Sequence, residues 1–103
     1  MAIRVLIVDD SRTARAALRA AFDTDPEFHI IAEASTAREA VEAANALRPD
    51  LVTMDVNLPG SSGIEATKAI MSSTPTRVVI VTAANLDDPE LIYKCLTVGA
   101  LEG

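Results

Sequence analysis

The sequence predicts an α/β fold in which a parallel β-sheet is covered by helices on both faces. Apolar runs and segments with helical spacing alternate along the 103 residues in the order β-α-β-α-β-α-β-α. Such alternation is typical of parallel strands joined by right-handed helical crossovers. The apolar runs also lack polar alternation, as in strands that are buried on both faces. The length leaves room for one small domain and no second one.

The first strand is predicted over Ile3–Val8, a run without polar interruption. Asp10 or Ser11 then caps a helix, which ends at the sequence Asp23-Thr24-Asp25-Pro26. The apolar positions of this helix are Ala14, Ala17, Leu18, Ala21 and Phe22. The second strand, His29–Ala34, has a weaker pattern and is therefore placed near an edge of the sheet.

The second helix is predicted to begin at Thr36, which stands three residues before Glu39 in the spacing of a capping box. It ends at Arg48, because a residue before proline is disfavoured in the helical conformation. Its predicted buried stripe consists of Ala37, Ala40, Val41, Ala44 and Leu47. The third strand is Leu51–Asp55, again an apolar run.

The remaining chain is predicted to form a loop, a helix, a strand and a last helix. Residues 58–63 are rich in turn formers and contain two glycines able to adopt positive φ. A helix over about Ile64–Met71 and a fourth strand over Arg77–Thr82 follow. Asp88 starts the last helix, with proline at the first helical position, and Gly99 ends it. Its buried stripe comprises Leu91, Ile92, Cys95, Leu96 and Val98.

Composition restricts the classes of partner. The net charge of −6 is spread along the chain, which argues against direct contact with nucleic acid. The single cysteine, Cys95, excludes an internal disulfide and a cysteine-rich metal site, which fits a reducing compartment. Residues 1–4 lead directly into a strand rather than into a signal peptide, and no apolar stretch is long enough to span a bilayer. We expect a cytoplasmic protein without a membrane partner.

Acidic side chains follow two of the predicted buried strands. Asp9 and Asp10 come after the first strand, and Asp55 closes the third. If these strands are parallel neighbours, the three carboxylates meet at one edge of the sheet, where open α/β sheets bind ligands. At about 4 Å and an effective dielectric near 20, each pair would repel by roughly 4 kcal/mol, so a cation must offset the charge. Mg²⁺ is favoured, because it binds one or two carboxylates and keeps waters for a phosphoryl ligand.

Each of these residues has an ordinary alternative role when it is taken singly. An acid pair such as Asp9-Asp10 before a helix is more often a cap than a metal site, and Asp55 alone is compatible with a turn. Thr82, at the end of the fourth strand, is either structural or a hydroxyl donor to a phosphoryl oxygen. Their position at the same end of parallel strands favours a common site, in which Asp55 is the best placed nucleophile.

In combination these motifs resemble the receiver domain of two-component response regulators. The resemblance covers the whole chain and rests, in order, on Val8-Asp9-Asp10-Ser11, residues 54–59 with Gly63, Val81-Thr82-Ala83 and Val98-Gly99-Ala100. Ser11–Arg15, Asp25-Pro26 and Leu51–Asp55 are most similar to the regulatory domain of the chemotaxis protein-glutamate methylesterases. The resemblance implies a flavodoxin-like doubly wound parallel sheet with strand order 2-1-3-4.

The resemblance also implies a phosphoryl switch. Asp55 matches the phosphoacceptor, which takes a phosphoryl group from phosphohistidine on a sensor histidine kinase. Asp10 and Asp55 match direct Mg²⁺ ligands, Asp9 matches a ligand acting through water, and Asn57 matches the position that offers its backbone carbonyl. Thr82 matches the switch hydroxyl, and the surface of the fourth helix would carry the output to an effector domain or partner.

The chain departs from the family at its C-terminal end. In the family a fifth strand ends in a lysine that contacts the phosphoryl group, and a fifth helix follows, whereas this chain stops at Leu101-Glu102-Gly103. Lys68 and Lys94 match no such role. We therefore expect a single receiver domain over residues 1–103, truncated before the fifth strand, with residues 102–103 as a cloning remnant and a methylesterase effector in the parent protein. Phosphotransfer should be impaired, and the open edge of the fourth strand should form a homodimer.

Two other functions remain open from the sequence. A Mg²⁺-dependent phosphohydrolase of the haloacid-dehalogenase type also uses a strand-end aspartate, but it requires an Asp-x-Asp motif, and Asp55-Val56-Asn57 lacks the second acid. The other alternative is an interaction module that keeps the fold without being phosphorylated. A spectral change on addition of beryllofluoride and Mg²⁺, abolished by Asp55→Asn, would distinguish a phosphoacceptor from such an interaction module.

Overall fold

A computed structural model describes residues 2–59 and 61–81, with the side chains of Asn57 and Ser61 outside the description. Thr82 and the predicted fourth helix lie outside the described residues. The elements are β1 (Ile3–Val8), α1 (Arg12–Phe22), β2 (Phe28–Ala34), α2 (Ala37–Leu47), β3 (Leu51–Asp55), β4 (Asn57–Leu58), β5 (Ser61–Ser62), α3 (Gly63–Ser73) and β6 (Arg77–Val81).

Four of the described strands form one parallel sheet in the order β2-β1-β3-β6. β6 is the fourth strand predicted from the sequence, so the predicted 2-1-3-4 order is confirmed. β2, the strand with the weakest sequence pattern, lies at an edge as expected. β1 and β3 are central neighbours, with Val8 opposite Met54, and β6 pairs with the other side of β3.

The helices cover both faces of this sheet, and the strand side chains alternate between them. Leu6, Val8, Val52 and Met54 pack in one cluster with residues of α2 and α3. Val5, Ile7, Leu51 and Val79 pack in a second cluster with α1, which contributes Leu18, Ala21 and Phe22. Because both faces are covered, the central strands are buried over residues 5–8 and 51–54, which explains their uninterrupted apolar sequences.

The starts of α1 and α2 follow the sequence signals with one difference. Of the two residues predicted as caps of α1, Asp10 and Ser11, Ser11 is the cap, since its hydroxyl accepts a hydrogen bond from the Ala14 N–H. At α2 the Thr36 hydroxyl accepts from the Glu39 N–H, but the Glu39 carboxylate returns to Ser35 instead of Thr36. The start of each helix is therefore held by side-chain caps, as predicted, while the partner of the Glu39 carboxylate differs by one residue.

The end of α2 corrects one predicted core residue. Leu47 was expected on the buried stripe but is exposed. It is the last helical residue, and the chain leaves the helix through Arg48, which has a left-handed backbone with φ of 49°. The guanidinium of Arg4 donates to the carbonyl oxygens of Leu47 and Arg48, so this helix end is closed by polar contacts rather than by apolar packing.

The connection between β3 and α3 differs most from the prediction. Residues 58–63 were expected to form a turn-rich loop without strands, but β4 and β5 pair there as a short antiparallel ladder. α3 begins at Gly63 and continues to Ser73, beyond both predicted ends. Among the described residues, no helix has the length and apolar character that a membrane crossing requires.

Candidate metal centre

Three carboxylates converge where β1 and β3 end. Val8 and Met54 are register partners in these neighbouring strands, so Asp9, Asp10 and Asp55 emerge at the same end of the sheet. One carboxylate oxygen of each residue lies within 4.8 Å of those of the other two. Asp9 is buried, Asp55 is half-buried and Asp10 is exposed. The convergence predicted from the strand order is therefore present.

Asp9 is held through its backbone and its side chain. Its N–H donates to the Ala34 carbonyl of β2 at 3.0 Å. Its carboxylate Oδ1 accepts from the Ser11 N–H at 2.9 Å, and its own carbonyl oxygen accepts from Nη1 of Arg15 at 2.7 Å. These bonds fix the chain between β1 and α1, on which both Asp9 and Asp10 lie.

The electrostatic environment of Asp9 favours a cation. Burial raises the pKa of the Asp9 carboxyl, and the negative charges of Asp55 and Asp10 raise it further. The Ser11 N–H and the Arg15 guanidinium act in the opposite direction, but the net direction is upward. A positive ion among the three carboxylates would remove this repulsion and favour the ionised form of Asp9.

The donor set fits Mg²⁺. All three side chains offer oxygen, the ligand type that hard divalent cations prefer. Magnesium–oxygen distances of about 2.1 Å limit two direct ligands of one ion to a separation of about 4.2 Å. Because the three oxygens lie within a slightly wider limit of 4.8 Å, two direct carboxylate ligands and a third acting through water fit this arrangement.

Gly63 sets the close contact between the end of β3 and the start of α3. A Cβ atom at this position would lie 1.9 Å from the carbonyl oxygen of Asp55 and 2.8 Å from its carbonyl carbon. The Gly63 N–H donates to the carbonyl of Val56 at 2.8 Å. The positive φ that was predicted as a possible role of this glycine is wrong, because the close approach of two backbones is what requires a residue without a side chain here.

The remaining predicted site residues are described only in part. Asn57 lies in β4, two residues after Asp55, with Ser62 as its register partner, and its role as a carbonyl ligand stays a prediction. Thr82 lies outside the described residues, directly after Val81, the register partner of Asp55. Lys68 is exposed on α3, and Lys94 lies outside the described residues.

Sequence reasoning missed Arg15 and Glu33. Arg15 donates both to the carbonyl of Asp9 and to the Glu33 carboxylate, so it links the acidic site to β2. The available signal was a basic residue one helical turn after Ser11, directly behind an acid pair. That signal is weak, because an arginine in a first helical turn is usually interpreted as a solvated residue.

Comparison with known proteins gives the family. Residues 5–102 match the response regulator receiver domain. Protein-glutamate methylesterase/protein-glutamine glutaminase 5 of Geobacter metallireducens is 42% identical over 100 residues, covering 97% of this chain and 28% of that protein. The corresponding protein 3 of Anaeromyxobacter dehalogenans is 44% identical over 99 residues, covering 96% of this chain and 29% of its own length. The chain thus spans less than a third of these curated relatives.

Solved structures agree with the sequence comparison. The response regulator domain of Thermotoga maritima CheB superposes with a TM-score of 0.78 at 39% identity, covering 99% of this chain and 72% of that one. The signal receiver domain of the putative response regulator NarL from Mycobacterium tuberculosis gives a TM-score of 0.75 at 29% identity, covering 93% and 77% of the two chains. The parallel sheet, its acidic edge and these similarities lead to one conclusion: the chain belongs to the response regulator receiver domain family.

Proposed function

We propose that this receiver domain accepts a phosphoryl group on Asp55 in the presence of Mg²⁺. In this proposal Asp10 and Asp55 bind the ion directly, Asp9 acts through water, and Asn57 contributes its backbone carbonyl. The observation that supports it best is the convergence of three carboxylate oxygens within 4.8 Å at the end of two central strands. An interaction module that is never phosphorylated has no need for this concentration of like charge.

The surroundings of the three acids favour Asp55 as the nucleophile. Asp9 is only 6% exposed and already accepts the Ser11 N–H, so a phosphodonor has little access to it. Asp55 is half-buried, and it is positioned by strand pairing with Val81 on β6 and by the contact with Gly63. A nucleophile fixed by a strand loses less freedom on reaction than one on an exposed turn, where Asp10 lies.

The proposed reaction is a phosphoryl exchange between two proteins. A carboxylate oxygen of Asp55 forms a bond to phosphorus, the phosphorus–nitrogen bond of a phosphohistidine breaks, and the imidazole nitrogen keeps the electron pair. The bound Mg²⁺ would neutralise negative charge on the phosphoryl oxygens. The phosphodonor is proposed to be a sensor histidine kinase, because receiver domains interact with such kinases. The cytoplasm is the proposed compartment, since the single cysteine fits a reducing environment.

The output of the switch is proposed from the relatives. The curated relatives carry the receiver match within longer proteins named as methylesterases and glutaminases, so a linked effector of that kind is proposed for the parent of this chain. Thr82, next to the register partner of Asp55, is the proposed switch hydroxyl. Neither direct nucleic-acid binding nor membrane binding is part of the proposal. A homodimer through the outer edge of β6 is proposed in addition.

The test is a titration of the 103-residue chain with beryllofluoride and Mg²⁺, followed by amide chemical shifts in ¹H–¹⁵N spectra. Beryllofluoride imitates a phosphoryl group on a carboxylate, so we expect shifts at the ends of β1 and β3 in the wild type. Asp55→Asn should abolish them. Asp23→Asn makes the same chemical change at the far end of α1 and should leave the response intact. A wild type that does not respond to beryllofluoride with Mg²⁺ would overturn the proposal.

A further inference from the structure

We infer that Arg15 is a positioning residue for the acidic site, because it joins the peptide between Asp9 and Asp10 to Glu33 on β2. This inference rests on the proposed Mg²⁺ site and assigns to it a residue that does not contact the ion. Arg15 is on the first turn of α1, and its side chain is 19% exposed. It is therefore partly enclosed between the helix and the sheet.

Arg15 connects three separate segments of the chain. Nη1 donates to the carbonyl oxygen of Asp9 at 2.7 Å, and Nε donates to Oε1 of Glu33 at 3.0 Å. The backbone N–H of Arg15 donates to the carbonyl of Ser11 at 3.0 Å, within the first turn of α1. The planar guanidinium can serve the carbonyl and the carboxylate together because its donors point in fixed, different directions.

The carbonyl that Arg15 binds belongs to the peptide linking the two acids. A peptide group is planar, so fixing the Asp9 carbonyl restricts both the ψ angle of Asp9 and the φ angle of Asp10. These two angles set the directions in which the two carboxylates leave the backbone. Arg15 thus restricts both acids through one hydrogen bond, without occupying the space between the carboxylates.

Arg19 provides a natural comparison on the same helix. It also binds the Glu33 carboxylate, through Nε and Nη2, but its side chain is 45% exposed. Within the described residues its side-chain hydrogen bonds go to Glu33 and not to Asp9. The two arginines therefore share an anchor and a charge, and they differ in the contact with the acidic turn.

Charge and positioning make opposite predictions for Mg²⁺ affinity. A guanidinium near the site repels a divalent cation, so removing the charge alone should tighten binding. Loss of a group that orients the ligands should instead weaken Mg²⁺ binding. The usual loss of affinity when such a partner of a metal ligand is removed is on the order of 10–100-fold. The sign of the change thus distinguishes the two roles.

The experiment measures the Mg²⁺ dissociation constant of the 103-residue chain from amide shifts, in wild type, Arg15→Met, Arg15→Lys and Arg19→Met. We expect about tenfold weaker binding for Arg15→Met. Arg15→Lys should also bind more weakly, because one ammonium group does not reproduce the fork that reaches both partners. Arg19→Met, the matched control, should bind as the wild type does. Thermal unfolding of each variant establishes that it is folded.

A second readout needs no metal. The Ser11 N–H donates to the Asp9 carboxylate, so its hydrogen exchange reports the order of the acidic turn. Exchange at Ser11 should accelerate in both Arg15 variants and stay unchanged in Arg19→Met. Unchanged exchange in the Arg15 variants, unchanged or tighter Mg²⁺ binding by them, or an equal loss in Arg19→Met would overturn the inference. Absence of Mg²⁺ binding by the wild type would instead overturn the proposed metal site.

Discussion

Asp9 places an ionised carboxylate in a buried position beside two other acids, and its hydrogen bonds orient it without neutralising it. Burial raises the pKa of Asp9, which means that folding disfavours its ionised form at neutral pH. The unliganded protein is thus less stable than it would be with a neutral group at this position. The same concentration of negative charge that lowers the stability of the free domain would favour binding of a cation.

Asp9→Asn should therefore raise the melting temperature of the metal-free protein, by a few degrees for a domain of this size. Asparagine keeps the oxygen that accepts the Ser11 N–H while removing the buried charge. Millimolar Mg²⁺ should stabilise the wild type and have much less effect on Asp9→Asn. Thermal unfolding followed by circular dichroism, with and without Mg²⁺, measures both effects. A lower melting temperature for the metal-free variant would contradict this prediction.

Thr53 is a second polar residue of the core with an energetic cost. It is fully buried on β3, two residues before Asp55, and its hydroxyl has no hydrogen-bond partner among the residues that the structure describes. Thr53→Val keeps the shape and removes the unpaired hydroxyl, so we expect stabilisation of about 1 kcal/mol. Urea unfolding measures it. Thr53→Ser, which keeps the hydroxyl and loses the methyl group, is the control and should destabilise the protein.

At the residue scale the sequence predicts the three acids of the site well, but it does not predict the residues that hydrogen-bond to them. Asp9, Asp10 and Asp55 were found because strand ends can be located from apolar runs, and parallel order then brings them together. Arg15 was not found, because its partners are a carbonyl and a side chain on a strand that is distant in sequence. Such contacts depend on how the helix is rotated about its axis on the sheet. The apolar pattern shows which side of the helix is buried, but it does not give this rotation precisely enough to predict a single hydrogen bond.

At the element scale, Glu33 joins β2 to α1 by accepting from both Arg15 and Arg19. The side-chain hydrogen bond from Arg19 is the main cause of a lowered Glu33 pKa. A carboxyl whose folded-state pKa is lowered stabilises the protein above its ordinary value of 4.5 and loses that contribution as the pH falls through the lowered pKa. The ion pairs of Glu33 with Arg15 and Arg19, which join β2 to α1, therefore weaken as the pH falls.

Glu33→Gln should destabilise the protein at pH 7 by about 1 kcal/mol or less, as expected for a partly exposed ion pair. The difference in free energy of unfolding from the wild type should be constant above about pH 6 and shrink at lower pH, since Glu33 then becomes neutral in both states. Urea unfolding at a series of pH values measures it. Glu42→Gln removes an exposed ion pair on α2 and should show almost no effect. A Glu33→Gln difference that grows on acidification would contradict the sign argued here.

Gly63→Ala should destabilise the junction between β3 and α3 by about 1–3 kcal/mol, the usual cost of inserting atoms into a close contact. Helix propensity alone predicts the opposite sign, since alanine is favoured over glycine by about 1 kcal/mol. The added Cβ would meet the Asp55 carbonyl oxygen at 1.9 Å, so the strand end or the helix must move. Chemical unfolding measures the stability, and the beryllofluoride response should weaken in parallel. A stabilised Gly63→Ala would show that the junction is looser than described.

Helices and long strands were predicted better than their connections. β1 and β3 agree with the predicted bounds, because buried parallel strands give continuous apolar runs. β4 and β5 were missed, since strands of two residues leave no periodicity to detect. Leu47 was wrongly assigned to the core. It continues the apolar spacing of α2 in the sequence, but the helix ends at this residue and its side chain is exposed.

At the scale of the whole molecule, β2 and β6 are the outer strands of the sheet formed by residues 2–59 and 61–81. β6 is apolar after its first residue, and Ile80 is 40% exposed. Apolar outer strands are able to pair with a strand of another chain. This is the basis of the proposed homodimer.

The proposed dimer predicts a weight-average mass that rises with concentration in sedimentation equilibrium. Ile80→Lys places a charge beside the pairing edge and should shift the protein toward the monomer. Ile64→Lys, at an isoleucine of α3 that is 51% exposed, makes the same change elsewhere and should leave the equilibrium unaffected. A wild type that sediments as a monomer at high concentration would contradict the proposal.

The overall topology could be predicted because few arrangements satisfy alternating strands and helices with right-handed crossovers. The order β2-β1-β3-β6 does not follow from that rule alone, and it entered through the resemblance of the motifs to a family. The register between strands was not predicted, since apolar residues on both faces make a shift of one residue invisible in the sequence.

The absence of a side chain at position 63 has a mechanical consequence. No side chain separates the Asp55 carbonyl from the first turn of α3, so the two backbones are in direct contact. α3 has 11 residues and is about 16 Å long. Its far end reaches Asn45 of α2 through Ser73. The backbone of Asp55 is therefore linked to α2 through α3, by a backbone contact at the start of this helix and a side-chain hydrogen bond at its end.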